Sequence, residues 1–166
     1  MTLAQDIANQ LQRLKTNGFD VKLKAQAEAN GFPASYFFAI ASRETNCVNM
    51  LGDPQRGEMH GVGIVQIDIQ HPIAKQARDD GSWKTNPDPL IAFGAGLIKN
   101  NISAAKQAFP QLSLDDQMKI AAAGYNCGVQ SAIAAQRNGD CDSRTTGHDY
   151  GKDVMARKAV FDQLMS

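Results

Sequence analysis

The stretch from Pro33 to Glu44 places the tightest constraint on what this chain can fold into. Phe37, Ile40, Ala41 and Glu44 fall at i, i+3, i+4 and i+7, which is one face of an α-helix. Tyr36 and Phe38 make the flanking faces apolar as well, so the helix belongs in the middle of a core. Pro33 suits its first turn. The anomaly is Glu44, an ionisable side chain where a hydrophobe is expected. A carboxyl held there loses water, which disfavours its charged form and raises its pKa. An acid still protonated near neutral pH can donate a proton to a leaving oxygen. A lone glutamate near a helix end is also commonly a surface residue or an arginine's partner, and Arg43 is its neighbour in sequence.

The chain of 166 residues is long enough for one domain with a sizeable core, and residues 1–166 read as a single unit. Seventeen basic and seventeen acidic residues leave no formal net charge. That balance argues against binding driven by nucleic-acid phosphates or by anionic lipid, both of which need a cationic excess. No apolar run approaches the roughly 20 residues of a membrane span. The segment Met1-Thr2-Leu3-Ala4-Gln5-Asp6 lacks the basic and apolar regions of a secretory leader. Cys47, Cys127 and Cys141 make an odd count, compatible with one disulfide and a free thiol or with none. No Cys-x-x-Cys pair occurs, and His60, His71 and His148 are scattered, so neither a metal nor an organic cofactor is expected.

Along the chain the pattern is mostly helical. Residues 3–15 carry Ile7, Leu11 and Leu14 on one stripe, with Gly18 as a C-terminal cap, and 21–30 form a weaker helix ending at Gly31. A polar, glycine-rich loop is expected over 47–63. Residues 62–68 alternate as a strand, with Val62, Ile64, Gln66 and Asp68 on one face and Val65 and Ile67 on the other. Residues 72–78 suggest a short helix and 81–88 a loop, and Pro87 and Pro89 open a long helix to about Phe109. Ser113 to Asp116 resembles a capping box for a helix ending near Cys127, followed by a short helix over 129–136. A polar loop over 137–147 leads to a last helix with Val154, Phe161 and Leu164 on its stripe. The fold class expected is mainly α, a helical domain around a central buried helix with a small antiparallel β element lining a cleft.

Three carboxylates stand out: Glu44 at the end of the buried helix, Asp53 after Gly52, and Asp68 at the end of the strand. Brought together, they would set a proton donor against a water activator. Each also has a plainer reading, Asp53 in a Gly-Asp-Pro turn and Asp68 as a cap for the helix after His71. Ser42-Arg43-Glu44-Thr45, Gly52-Asp53, Gly61-Val62-Gly63-Ile64-Val65-Gln66-Ile67-Asp68, Ala123-Gly124-Tyr125-Asn126-Cys127-Gly128 and the run from Thr145 through Asp149, Tyr150 and Asp153 to Arg157 occur in that order. Together, over about residues 34–160, they resemble the goose-type lysozymes, which share a glycoside hydrolase family with the soluble lytic transglycosylases.

The resemblance implies a lysozyme-like α+β fold and muramidase activity on bacterial peptidoglycan, with chitin oligosaccharides as further substrates. It implies that Glu44 is the general acid and that Asp53 and Asp68 position and activate the hydrolytic water. Gln66 would line the substrate cleft, and His71 would be a sugar-binding histidine. Tyr125 and Asn126 would support the acid and bind sugar respectively, and Tyr150 would line the glycan subsites. A monomer exported or delivered to the cell wall is the expected setting. A lytic transglycosylase, in which the muramoyl 6-hydroxyl replaces water, is the near alternative, and a non-catalytic glycan-binding module the distant one. The cysteines do not follow the avian two-disulfide arrangement. If Glu44 and Tyr125 meet, Cys47 and Cys127 would approach bonding distance, so a Cys47–Cys127 bridge and a pair of buried thiols both stay open.

Overall fold

A computed structural model describes residues 2–166. The helices are α1 (Leu3–Thr16), α2 (Phe19–Ala29), α3 (Ala34–Thr45), α4 (Pro72–Asp80), α5 (Ser82–Thr85), α6 (Asp88–Ala108), α7 (Leu114–Cys127), α8 (Val129–Arg137) and α9 (Tyr150–Met165). Two short 3₁₀ turns, Cys141–Arg144 and Thr146–His148, lead into α9. Between α3 and α4 lie β1 (Leu51–Gln55), β2 (Glu58–Val62) and β3 (Ile67–Asp68), an antiparallel sheet in that order. The expected mainly α architecture with a small β element is the architecture observed.

α3 is the centre of the core. Every residue from Ser35 to Ser42 is buried, as a helix apolar on all sides requires. It packs against α2 on one side and α9 on the other. Phe32 meets Tyr36 and Phe37 edge-on at 6.1 and 5.7 Å, and Phe38 meets Phe161 of α9 at 5.7 Å. These are the favoured aromatic geometries. The Tyr36 hydroxyl donates to Met118 O of α7 at 2.6 Å, so the buried phenol is satisfied. α6 and α8 pack on α7 and complete the helical body.

Several elements depart from the sequence expectation. Residues 51–62 are a β-hairpin, not a loop, pairing Leu51 with Val62, Gly52 with Gly61, Pro54 with Met59 and Gln55 with Glu58. Arg56 and Gly57 both have positive φ, 49° and 86°, the signature of a two-residue turn that matches strand twist. Residues 62–68 are not one strand. The chain turns through 63–66, with Gly63 at φ 84° and Gln66 at φ 49°, and β3 then pairs Ile67 with Val62 and Asp68 with Gly61. The alternation misled because Val62, Ile64, Val65 and Ile67 are all buried, so no face is set aside for solvent. On α9, Val154 and Phe161 are buried but Leu164 is 41% exposed, because the stripe has left the core by the last turn.

Of the two alternatives for Cys47 and Cys127, the bridge is not formed, and all three cysteines are free thiols. Asn46 and Cys47 both adopt left-handed φ, 52° and 60°, and end α3 abruptly. That turn sends the Cys47 sulfur to Gln10 Oε1 at 3.6 Å, on the α1 side of the core. Cys127 instead faces the cleft at the end of α7.

α9 starts in close contact with α7. Asp142 is buried and accepts from the backbone N–H groups of Gly151 (2.7 Å) and Lys152 (2.9 Å), satisfying donors that a helix start leaves open. A Cβ on Gly151 would stand 2.6 Å from the backbone oxygen of Lys119 in α7, so no side chain fits there. Gly151→Ala is therefore expected to lower the unfolding free energy by about 1–3 kcal/mol, read from denaturant midpoints at an unchanged m-value.

Candidate active site

Glu44 sits in the last turn of α3, where the core meets a cleft of about 930 Å³. Protein surrounds most of its carboxyl, and that loss of water pushes its pKa up from 4.5 to about 7. A hydrogen bond from Tyr150 and the charge of Arg43 pull the other way without overcoming burial, while Asp53 adds to the rise. The Tyr150 hydroxyl donates to Glu44 Oε1. Burial, and the neighbouring Glu44 after it, keep the Tyr150 phenol well above its ordinary pKa, so it remains a donor.

Arg43 does not pair with Glu44. Its Nη2 and Nη1 reach Asp149 Oδ1 and Asp153 Oδ2, each at 2.9 Å, on either side of Tyr150 in sequence. Arg157 Nε joins Asp153 Oδ2 at 2.7 Å, and its Nη1 donates to Ser42 Oγ at 2.8 Å. Two arginines and two aspartates thus fasten the end of α3 to the start of α9.

The facing wall comes from the sheet. Asp53 lines the cleft from β1 in a left-handed conformation, φ 51°, with Oδ2 accepting from Gln55 Nε2 at 2.7 Å. Asp68 lines it from β3, and its Oδ1 accepts from Gln70 N at 2.7 Å, so it shapes the turn before α4 without capping that helix. Gln66 is held between these strands. Its Nε2 donates to Gly63 O at 2.7 Å and Met50 O at 3.0 Å. A Cβ on Gly52 or on Gly61, cross-strand partners, would lie 2.1 Å from Gln66 Oε1. The two glycines leave the bare patch of sheet in which this side chain rests. His71 borders the cleft at the start of α4, its ring 4.9 Å from that of Phe93.

The floor comes from α7. Tyr125 donates to Val65 O at 2.6 Å, tying α7 to the β2–β3 turn, and Gly94 of α6 makes room for that turn, with a would-be Cβ 3.0 Å from Val65 Cγ2. Asn126 lines the cleft with its Oδ1 accepting from Thr146 N at 2.9 Å. The two tyrosines therefore differ from the expectation. Tyr150 is 3% exposed and lies beneath the acid, not along the cleft wall, because Arg43 and α3 cover its ring. Tyr125 hydrogen-bonds backbone and not the acid.

Glu44, Asp53, Asp68, Gln66, His71, Tyr125 and Asn126 thus border one cleft, while Tyr150 acts from behind it. Gln55, Gln70, Asn101 and Thr146 also line it and carried no signal in the sequence beyond being polar. The Arg43 clamp went unread too, although Asp149 and Asp153 at i, i+4 mark one face of α9. Among the described residues, the group whose ligand atoms lie within 4.8 Å of one another is Asp140, Cys141 and Asp142. It is outside the cleft, and both Asp142 oxygens already bind backbone. No helix among the described residues is long and apolar enough to cross a membrane.

A helical body with a three-stranded sheet facing a buried acid across a polar cleft defines a lysozyme-like protein. The family model of lysozyme g matches residues 2–164. Lysozyme g of Gallus gallus is 26% identical over 147 residues, 89% of this chain and 65% of that protein. Lysozyme g of Epinephelus coioides is 26% identical over 162 residues, 94% of this chain and 78% of that protein. The Takifugu rubripes lysozyme g is 29% identical over 127 residues, covering 64% of its length. The chain thus spans just under two thirds of two of these three relatives. It belongs to the lysozyme g family.

The burial of Glu44 has a measurable consequence. With a folded pKa near 7 against 4.5, the native state holds a proton that the unfolded chain releases. Stability is therefore lost as pH rises from about 4.5 to about 7, by roughly 3 kcal/mol in all. Glu44→Gln removes the ionisation. Its stability relative to the parent should climb across that window and level off above it, as followed by urea denaturation at stepped pH.

Proposed function

We propose that this chain hydrolyses the β-1,4 bond between N-acetylmuramic acid and N-acetylglucosamine in bacterial peptidoglycan. Glu44 gives its proton to the glycosidic oxygen as the sugar gains oxocarbenium character. Asp53 and Asp68 hold and activate the water that attacks the opposite face, and the anomeric configuration inverts. The observation that carries this reading is the pairing of an acid whose pKa is raised to about 7 by burial with two carboxylates on the facing sheet wall of the same cleft. Burial singles out Glu44 among the three as the proton donor. Amide side chains such as Asn126, Asn101 and Gln55 suit the acetamido and hydroxyl groups of the sugars. Site of action and substrate follow together, since peptidoglycan lies outside the bacterial cytoplasm; chitin oligosaccharides offer the same linkage without the lactyl group.

Mass spectrometry of digested, purified cell wall tests the reaction. Products carrying the full mass of added water are expected, whereas anhydro products one water lighter would mean that the muramoyl 6-hydroxyl is the nucleophile. Glu44→Gln keeps the shape and removes the proton, and wall lysis should fall by at least about 100-fold. Because the reaction needs Glu44 protonated, kcat/KM should decline as pH rises through about 7. A pH–rate profile with no alkaline limb near that value would count against Glu44 as the donor.

A further inference from the structure

Two ties join the end of α3 to the start of α9, and they do different things. Arg157 bonds Ser42 Oγ and Asp153, which by itself docks one helix on the other. Arg43 adds contacts that all converge on Tyr150. Its two nitrogens hold Asp149, the residue before Tyr150, and Asp153, three after it, each at 2.9 Å. Its guanidinium carbon lies 5.4 Å from the centroid of the Tyr150 ring, within cation–π range. The loop entering α9 is shaped for this grip, since Gly147 is left-handed (φ 77°) and a Cβ there would stand 3.0 Å from Asp149 Oδ1. At the far end of the ring, the hydroxyl donates to Glu44. Ring and hydroxyl are rigidly joined, so fixing the ring face fixes where the hydroxyl points.

We propose that Arg43 is a positioning residue for the acid, acting through Tyr150: the guanidinium holds the ring, and the ring holds the hydroxyl on Glu44. The proposal rests on Glu44 being the proton donor. Burial would lower the pKa of Arg43, but the hydrogen bonds and charges of Asp153 and Asp149 outweigh it and keep the clamp charged. The other titratable groups facing this pair are Asp53, which acts on Glu44, and Tyr125 and Tyr36, which act on Tyr150. A planar, two-pronged cation is needed to hold two carboxylates and lie on a ring together, which lysine cannot do.

The chain has three glutamates, Glu28, Glu44 and Glu58, so carboxyl-labelled glutamate gives a resolvable carbon NMR titration of Glu44 without any assay of activity. Arg43→Met should move the Glu44 midpoint upward and lower kcat on dispersed peptidoglycan by about 10-fold with little change in KM. Arg43→Lys should give a smaller upward shift, since the charge remains and the ring grip is lost. In a Tyr150→Phe background the Arg43→Met shift should shrink, because the route through the hydroxyl is already cut. Asp149→Asn, at a half-exposed site, should shift the midpoint upward even if Arg43→Met fails to fold. A midpoint that stays put while thermal stability falls would make Arg43 a structural tie only and overturn the proposal. Equal shifts with and without the Tyr150 hydroxyl would do the same, showing charge acting through space. Should Glu44→Gln retain lytic activity, the catalytic assignment fails separately, and the titrations still read whether Arg43 governs Glu44.

Discussion

A carboxyl group kept from water at the end of a core helix is the constraint around which the rest of this molecule is arranged. Glu44 can stay there only because α3 is packed on all sides and because Tyr150 offers a hydrogen bond from below. Removing water from a carboxyl is unfavourable for its ionised form, so the site holds a proton that an exposed glutamate would lose. The same burial that weakens the fold above neutral pH keeps a proton on Glu44 near neutrality, a trade of stability for a perturbed group. The fold tolerates it by fastening α3 to α9 with Arg43, Arg157, Asp149 and Asp153 at the helix end where the acid emerges.

The opposite wall obeys a different rule. A three-stranded sheet of short strands is weak by itself, and here it is pinned from several directions. Thr45 Oγ1 donates to Ile64 O at 2.9 Å, Tyr125 to Val65 O, and Gln66 to Met50 O and Gly63 O. The Thr45 and Tyr125 bonds tie the β2–β3 turn to α3 and α7, and the Gln66 bonds brace the sheet internally. The left-handed conformations of Asp53 and Gln66 lie on this wall. Non-glycine residues adopt that conformation only when surrounding structure compels it, and such positions collect at binding sites. These bonds and conformations define the wall that carries Asp53 and Asp68.

Membership in the lysozyme g family rests on a match across nearly the whole chain at about 26% identity to individual relatives. At that level individual side chains have to be read from their surroundings. Tyr150 is the clearest case. Its place in the motif suggests a sugar platform, yet its 3% exposure and its bond to Glu44 give it another part. The cysteines are another, since three free thiols in three environments replace the bridge that spacing suggested.

By itself the sequence determined the longer helices and the identity of the buried acid, while the one-turn α5, expected as loop, escaped it. Helix periodicity is local, and Phe37, Ile40, Ala41 and Glu44 carry it within eight residues, so α3 and its odd carboxyl were legible. Short apolar runs carry no such local signature. Residues 62–67 bury nearly every side chain, and whether they form a strand or a turn between two strands depends on what packs over them. Partnerships were the furthest from view. Tyr150 and Glu44 are 106 residues apart, and Arg43 and Asp153 are 110 apart. Pattern along a chain reports which face of an element is apolar. Only packing in three dimensions decides which polar group waits at the end of that face, and that choice sets the proton on Glu44.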